Sequence, residues 1–191
     1  MLHISYGDIN LNTQYCEEQL RRHFPTPASQ KFIDSLCEKS NNLAKAGSLS
    51  AYLNLAICLQ ENGIDTKAFD IVRNPNGKPY FLGSDIFFSI SHTDKYFAVA
   101  IADTEIGIDI ESKDLSESKM QSIAKRFFLP SETESISNRE SFLKIWTFKE
   151  AYAKMKGEPL STVIDKVSAT DDSINKIYKK YNDAVICVCT A

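Results

Sequence analysis

The stretch EIGIDIE at residues 105–111 decides the fold of the second half of the chain, because isoleucine alternates in it with glycine or a carboxylate. Strict alternation predicts a β-strand whose three isoleucines face a core. Gly107, Asp109 and Glu111 then share the opposite face, where the glycine is expected to leave room for a ligand. Two carboxylates at this spacing can bind one magnesium ion together with substrate phosphate oxygens, whereas an isolated pair is more often a solvated strand face.

A long helix is predicted downstream of this strand, at Arg139–Lys156. Ser137 and Glu140 have the spacing of a capping box at its start, and Gly157 is a typical helix stop. Apolar residues recur at helical period along one side of the segment, so that side is expected to pack on a core.

Glu150 and Lys154 lie one turn apart on another side of this helix. The default interpretation of such a pair is a surface ion pair worth about 0.3–0.5 kcal/mol. A functional interpretation makes Glu150 a third metal ligand or the base for an attacking hydroxyl, while Lys154 and Lys149 neutralise phosphate charge. The helix by itself does not decide between the two.

The segment FFSISHT at residues 87–93 is a predicted strand that ends in hydroxyls and a histidine. Ser91 is not flanked by the glycines of a nucleophile elbow, so a catalytic serine is disfavoured. Ser91 and His92 are interpreted instead as donors to phosphate oxygens at a strand end, where binding sites commonly lie. The alternative is a capping serine and a surface histidine at a turn.

The remaining pattern predicts an α+β protein with two halves, residues 1–102 and residues 103–191. Helices are expected at residues 13–23, in two segments up to residue 62 that break near Asn41, and at residues 119–127 and 131–136. Strands are expected at residues 2–6, 69–73, 86–90, 96–102, 163–169 and 184–189.

The composition is that of a globular protein, since 43% of the 191 residues are hydrophobic and 25% are charged. A net charge of −3 argues against a nucleic-acid partner. The chain shows no apolar run of about 18 residues and no leader-like start, so we expect a cytoplasmic location without a membrane contact. The five cysteines form no Cys-x-x-Cys pair and are expected to be buried free thiols.

Five motifs, taken in order over about residues 76–160, resemble the 4'-phosphopantetheinyl transferase superfamily. They are GKP at 77–79, SISH at 89–92, GIDIE at 107–111, RFF at 126–128 with Glu132, and WTFKEAYAK at 146–154. The chain length favours the surfactin-synthetase-activating type over the shorter holo-acyl-carrier-protein synthase type, which assembles as a trimer. The favoured type is a pseudo-dimer of two similar α+β halves in one chain, so the resemblance implies that fold and a monomer.

The resemblance implies that three carboxylates hold magnesium and that four further residues bind coenzyme A. The implied magnesium ligands are Asp109, Glu111 and Glu150. The implied coenzyme A contacts are Lys154 at the pyrophosphate and Lys78, Ser91 and His92 at phosphates, with His92 at the 3'-phosphate. Members of the family carry an arginine-rich stretch in the first half, where this chain has KSNNLAKAG at residues 39–47, so Lys39 and Lys45 are the candidate substitutes.

The implied activity is transfer of the 4'-phosphopantetheine group of coenzyme A to a serine of an apo acyl, polyketide or peptidyl carrier protein. Glu150 and Lys154 would be the catalytic residues, and 3',5'-ADP would leave. Two other functions stay open at this point. One is a metal-dependent phosphohydrolase that uses the same carboxylates with water as the nucleophile. The other is a non-catalytic module that binds coenzyme A or a carrier protein, which the altered basic stretch favours.

Overall fold

The computed structural model describes residues 1–191 and divides the chain into two compact units, Met1–Thr104 and Glu105–Ala191. Both units combine helices with an antiparallel sheet, which confirms the predicted α+β class. No helix is both long enough and apolar enough to cross a bilayer.

The first unit is built on a three-stranded antiparallel sheet. Its strands are β1 (Leu2–Asp8), β4 (Phe87–His92) and β5 (Tyr96–Ala102), in the order β1-β5-β4. A separate hairpin joins β2 (Ile71–Arg73) to β3 (Pro79–Phe81), and Gly77 takes a positive φ of 86° in its turn. The strand predicted at residues 69–73 is thus shorter than expected, and β3 was not predicted.

Three helices lie between β1 and the hairpin of the first unit: α1 (Thr13–His23), α2 (Pro27–Cys37) and α3 (Asn42–Glu61). Each begins at a residue whose side chain accepts a backbone N–H of the first turn, which are Asn12, Thr26 and Asn41. The predicted break near Asn41 is therefore confirmed, because that residue caps α3. The core of the unit is formed by apolar side chains of all three helices with the sheet and hairpin.

The second unit repeats the topology of the first. Its sheet contains β6 (Ile106–Glu111), β7 (Asn175–Tyr181) and β8 (Ala184–Thr190), in the order β6-β8-β7. In both units the first strand pairs with the last, the last pairs with the next to last, and three helices intervene. The second unit's helices are α4 (Glu117–Phe127), α5 (Pro130–Ser135) and α6 (Arg139–Lys156). The two halves predicted from the resemblance are thus alike in topology.

Gly107 fixes how α6 packs on β6. A Cβ at this glycine would lie 1.9 Å from the carbonyl oxygen of Ala151 and 2.4 Å from the amide nitrogen of Met155. The glycine therefore makes room for the backbone of α6 and not for a ligand, which corrects the expectation from sequence. Every residue of β6 is buried as a result, including both carboxylates.

Two local predictions in the second unit are wrong. Residues 163–169 form turns after a short 3₁₀ helix and not a strand, because Val163, Ile164 and Val167 are buried as a loop. The strand is β7, whose sequence NKIYKKY is rich in lysine, a residue typical of an exposed sheet edge. The capping box of α6 is made by Asn138 and Ser141, one residue later than the spacing of Ser137 and Glu140 suggested.

Candidate functional site

Asp109 lies on β6 with 7% of its surface exposed. Its Oδ1 atom accepts a hydrogen bond of 2.8 Å from Nζ of Lys154, which also donates to the carbonyl oxygen of Ile108 at 3.1 Å. The predicted partner of Lys154 on the helix surface was Glu150, but the lysine instead reaches the strand. The chain thus brings a phosphate-binding candidate and a metal-binding candidate into direct contact.

Glu111 lies two residues along the same strand and is 9% exposed. Its Oε1 atom accepts the backbone N–H groups of Ser112 and Lys113 at 2.9 and 3.0 Å, and its Oε2 accepts from Nζ of Lys113 at 3.0 Å. The hydrogen bond to Glu111 raises the pKa of Lys113. Backbone amides at the strand end therefore orient this carboxylate, and Lys113 is a cation of the site that sequence reasoning did not identify.

Glu150 approaches the two strand carboxylates from α6. Burial raises the pKa of Glu150, and the nearby charge of Asp109 raises it further, while Lys154 and Lys113 oppose the shift. Glu150 is half-buried, and this direction is the one expected of a carboxyl group that is partly removed from water beside other negative charges. All three sequence-predicted carboxylates therefore belong to one electrostatic cluster in the second unit.

The donor set of this cluster fits magnesium. Three carboxylates face two lysines, so the group retains an excess of one negative charge when all five side chains are ionised. The available donors are hard oxygens, with no imidazole or thiolate among them, and magnesium prefers oxygen ligands. Asp109, Glu111 and Glu150 are the residues that would hold the ion.

Lys149 does not join the cluster, although the sequence suggested it as a second phosphate ligand. Its side chain is fully buried and forms a 2.8 Å ion pair with Glu132, which is 1% exposed. Its Nζ atom also donates to the carbonyl oxygens of Ile164 and Val167 at 2.6 and 2.8 Å. All three donor positions of the ammonium are occupied, so Lys149 is a structural residue.

Glu132 completes this buried network from α5. Its two carboxylate oxygens accept the backbone N–H groups of Ala169, at 2.7 Å, and Leu129, at 2.9 Å. The network ties α5 and α6 to the loop that follows α6. Glu132 and Lys149, which both belong to the sequence motifs, thus stabilise the fold as an ion pair. The sequence does not reveal this pair, because the two residues are far apart in it.

His92 anchors a second cluster, which lies in the first unit. Nε2 of His92 is 3.0 Å from Oγ of Ser48, and the same Oγ accepts a 2.5 Å hydrogen bond from Nζ of Lys39. If Ser48 donates to Nε2, the ring carries its proton on Nδ1, which lies 3.4 Å from the carbonyl oxygen of Thr93. Gly47 permits this arrangement, because a Cβ there would lie 2.5 Å from Nδ1 of His92.

Lys39 is therefore linked to His92 through Ser48. The pKa of Lys39 is lowered by burial first and by the positive charge of Arg73 second. Arg73 lies at the end of β2, with its guanidinium 4.7 Å from the ring centre of Phe32. Lysine, arginine and histidine side chains thus gather in one region, and the contributions of Ser48 and Arg73 were not predicted.

The other three residues predicted for the first unit lie on three different elements, which are β4, the β2–β3 hairpin and α3. Ser91 precedes His92 on β4 and is 8% exposed, so its hydroxyl is largely buried. Lys78 follows the turn of the β2–β3 hairpin, where its backbone N–H donates to Oδ1 of Asn74 at 2.9 Å. Lys45 lies in the first turn of α3 and has no role in the Lys39–Ser48 contact.

A cavity of about 300 Å³ opens beside Glu111 in the second unit. Its walls are mostly apolar, with one glutamate and two lysines as the charged residues. The lining residues are Glu111, Lys113, Leu115, Lys119, Ile123, Phe142, Leu143 and Trp146. The structure thus places an apolar pocket next to one of the candidate metal ligands.

The second unit matches a known family along almost its whole length. Residues 105–190 match the family described as the 4'-phosphopantetheinyl transferase superfamily. The matched residues include the carboxylate cluster, which confirms the resemblance found in the motifs.

Individual curated proteins show the same relationship. The chain is 32% identical over 117 residues to a 4'-phosphopantetheinyl transferase of Bacillus subtilis, covering 56% of this chain and 49% of that protein. It is 33% identical over 116 residues to the 4'-phosphopantetheinyl transferase gsp of Aneurinibacillus migulanus, covering 58% and 47%. It is also 36% identical over 96 residues to the 4'-phosphopantetheinyl transferase HetI of Nostoc sp., covering 44% and 40%. The matched part therefore spans about half the length of these relatives or less.

Proposed function

We propose that the chain transfers the 4'-phosphopantetheine group of coenzyme A to a serine of an apo carrier protein and depends on magnesium. One observation carries the proposal. Asp109, Glu111 and Glu150 form a carboxylate cluster that contacts Lys154, and this cluster lies in the residues that match the phosphopantetheinyl transferase superfamily. The proposed products are the holo carrier protein and 3',5'-ADP.

Magnesium held by the three carboxylates would neutralise charge on the diphosphate of coenzyme A. Lys154 adds a positive charge at the same place, since its Nζ atom is 2.8 Å from Asp109. In phosphoryl transfer of this kind most of the acceleration comes from positioning and charge neutralisation. Lys154 and the carboxylates of β6 are both held by packed backbone, so the site is preorganised.

Glu150 is the proposed acceptor of the serine proton. In the reaction a bond forms between the serine Oγ and the β-phosphorus of coenzyme A, the bond from that phosphorus to the 3',5'-ADP oxygen breaks, and the serine proton passes to a carboxylate oxygen of Glu150. A base works best when its pKa lies near the working pH, and burial moves the pKa of Glu150 upward in that direction.

In the first unit, Lys78, Ser91 and His92 are the proposed donors to coenzyme A phosphates, with His92 at the 3'-phosphate. Lys39 and Ser48 would orient the imidazole, and Lys39 with Arg73 would supply positive charge in place of an arginine-rich stretch. Lys39, and not Lys45, is the lysine that the hydrogen bonds connect to His92.

The partner is an acyl, polyketide or peptidyl carrier protein. The apolar cavity beside Glu111 would receive an apolar side chain next to the modified serine, and Lys113 and Lys119 would attract acidic residues around it. Cytoplasmic location, a monomeric state and the absence of nucleic-acid and membrane partners stay predictions.

Two other functions are separated from this proposal by their products. A metal-dependent phosphohydrolase would release 3',5'-ADP from coenzyme A without a carrier, and a binding module would release none. The raised pKa of Glu150 beside Asp109 supports catalysis over simple binding, because carboxyl groups perturbed in this way concentrate at catalytic sites.

The deciding experiment is to incubate the purified protein with coenzyme A, magnesium and a panel of apo carrier proteins and to weigh each carrier by intact mass spectrometry. A carrier that gains one phosphopantetheine group, and does so neither with a chelator nor with the Asp109→Asn variant, supports the proposal. Release of 3',5'-ADP without a carrier indicates the hydrolase. Binding of coenzyme A and magnesium with no product on any carrier indicates the binding module.

A further inference from the structure

A second group of potential metal ligands lies in the first unit and takes no part in the proposed transfer. The imidazole of His3, the thiol of Cys58 and the carboxylate of Glu61 each present a ligand atom, and these atoms all lie within 4.8 Å of one another. His3 belongs to β1, whereas Cys58 and Glu61 belong to the last turns of α3. The group therefore joins two elements that are distant in sequence.

The spacing on α3 explains why the group can act as one site. Cys58 and Glu61 are three residues apart and so lie on the same helix face. Asn54, four residues before Cys58, lies on that face too, with Oδ1 3.6 Å from Sγ of Cys58. His3 lies opposite Ile101 in the antiparallel pairing of β1 with β5, so the histidine is held in a regular strand.

The ligand types differ from those of the carboxylate cluster. One thiolate, one imidazole and one carboxylate suit a borderline-soft divalent cation, and zinc is bound in proteins by these three groups. Zinc bonds of about 2.0–2.3 Å place two ligands of a tetrahedral ion roughly 3.3–3.7 Å apart. The ligand atoms would therefore have to move closer by at most about 1.5 Å to hold an ion.

The exposure of the three side chains differs in a way that would let a metal ion enter the group from solvent. Cys58 is 2% exposed, His3 is half-buried and Glu61 is exposed, so the open side lies at the carboxylate. Burial raises the pKa of the Cys58 thiol. A thiol that binds zinc loses its proton to the solvent.

We propose that His3, Cys58 and Glu61 form a zinc site that clamps β1 to the end of α3, with water as the fourth ligand on the side of Glu61. The site is independent of the proposed transferase activity. Because the bound ion links an edge strand to the longest helix of the first unit, zinc stabilises that unit by mass action without contacting coenzyme A.

Cobalt(II) is the probe that tests the proposal, because a bound thiolate gives a sulfur-to-metal charge-transfer band that carboxylates cannot give. The metal-free, reduced protein is titrated with cobalt(II) in excess magnesium, which occupies the carboxylate cluster, and zinc is then added. The expected result is one thiolate-bound cobalt per chain, displaced by zinc, together with a higher melting temperature in zinc than in magnesium alone.

Four variants make the assignment specific. Cys58→Ser is expected to abolish the charge-transfer band, and Glu61→Gln, at an exposed position where misfolding is not expected, to weaken cobalt binding at least about tenfold. Cys37→Ser and His23→Ala are matched controls that should leave the band unchanged. The proposal is overturned if no band forms, if the band survives in Cys58→Ser, or if Glu61→Gln binds cobalt as tightly as the original protein.

Discussion

Nζ of Lys154 on α6 lies 2.8 Å from Oδ1 of Asp109 on β6. The lysine side chain is 29% exposed and that of the aspartate 9%, so this ion pair is partly shielded from water. This pair neutralises Asp109, and the Lys113–Glu111 pair neutralises Glu111, whereas neither lysine forms its ion pair with Glu150. The unbalanced charge of Glu150 is therefore the feature from which the first two predictions follow.

Replacement of Glu150 by glutamine should slow transfer strongly and stabilise the protein. Removal of the proton acceptor should lower kcat by about 10²–10⁴-fold. The same change removes a half-buried charge that Asp109 repels, so the melting temperature in the absence of magnesium should rise. Intact-mass kinetics and thermal unfolding measure the two effects.

Glu140→Gln is the matched control on the same helix. Hydrogen bonds from Lys180 and Lys144 lower the pKa of Glu140, so this charge stabilises the fold and is exposed to solvent. Its loss should leave kcat unchanged and should not raise the melting temperature. Equal activity of Glu150→Gln and the original protein at saturating magnesium would rule out the role of Glu150.

The stability difference between Glu150→Gln and the original protein should depend on pH. Because the folded pKa of Glu150 lies above its unfolded value, the folded state holds this proton more tightly. Stability should therefore fall as pH rises through the interval between the unfolded and the folded pKa, and the glutamine variant should lack this loss. Urea unfolding at several pH values in a chelator measures it, and a gap that widens towards acid pH would contradict the assignment.

Breaking the buried pair of Lys149 and Glu132 should cost far more stability than breaking an exposed pair on the same helix. Lys149→Met leaves Glu132 charged and buried, and such losses are typically about 3–5 kcal/mol. The control Lys144→Met breaks an exposed pair with Glu140 and should cost less than about 1 kcal/mol. Urea unfolding of the two variants is the measurement, and similar losses would show that Lys149 is not buried as described.

Gly107→Ala should destabilise the second unit by at least about 1–3 kcal/mol, since the new methyl group would collide with backbone atoms of α6 that cannot rotate away. Gly7→Ala is the control, because its methyl group would meet only the ring edge of Phe97, at 3.2 Å. Urea unfolding compares the two variants. A Gly107→Ala protein of unchanged stability would show that β6 and α6 pack less closely.

Lys39→Met should weaken the preference for coenzyme A over its analogue that lacks the 3'-phosphate, whereas Lys45→Met should not. Lys39 donates to Ser48, which contacts His92, and a charge-assisted hydrogen bond is worth about 1.5–3 kcal/mol, or roughly tenfold or more in affinity. The KM values of the two substrates measure the preference, with kcat unchanged if Lys39 only positions His92. An equal effect of the two lysine variants would indicate long-range charge and not this contact.

Local patterns were sufficient for most elements of the fold. The bounds of α1, β5, β6 and α6 agree with the sequence prediction, because each has a clear period and a capping or breaking residue at its ends. The strand predicted at residues 163–169 failed because apolar side chains can be buried by a loop as well as by a sheet. The strand β7 was missed because lysines hide the alternation of an edge strand.

By itself, the sequence determined the class of the fold, the two carboxylates on one strand face and the helix that carries Glu150 and Lys154, since these follow from periods of two and 3.6 residues. Only the tertiary structure decided which charges meet. Lys154 forms its ion pair with Asp109 and not with Glu150. Lys149 forms a buried ion pair with Glu132, and Lys39 donates a hydrogen bond to Ser48 beside His92. The physical reason is that side-chain direction is local, whereas burial and the choice of a charged partner depend on elements that are brought together only by folding.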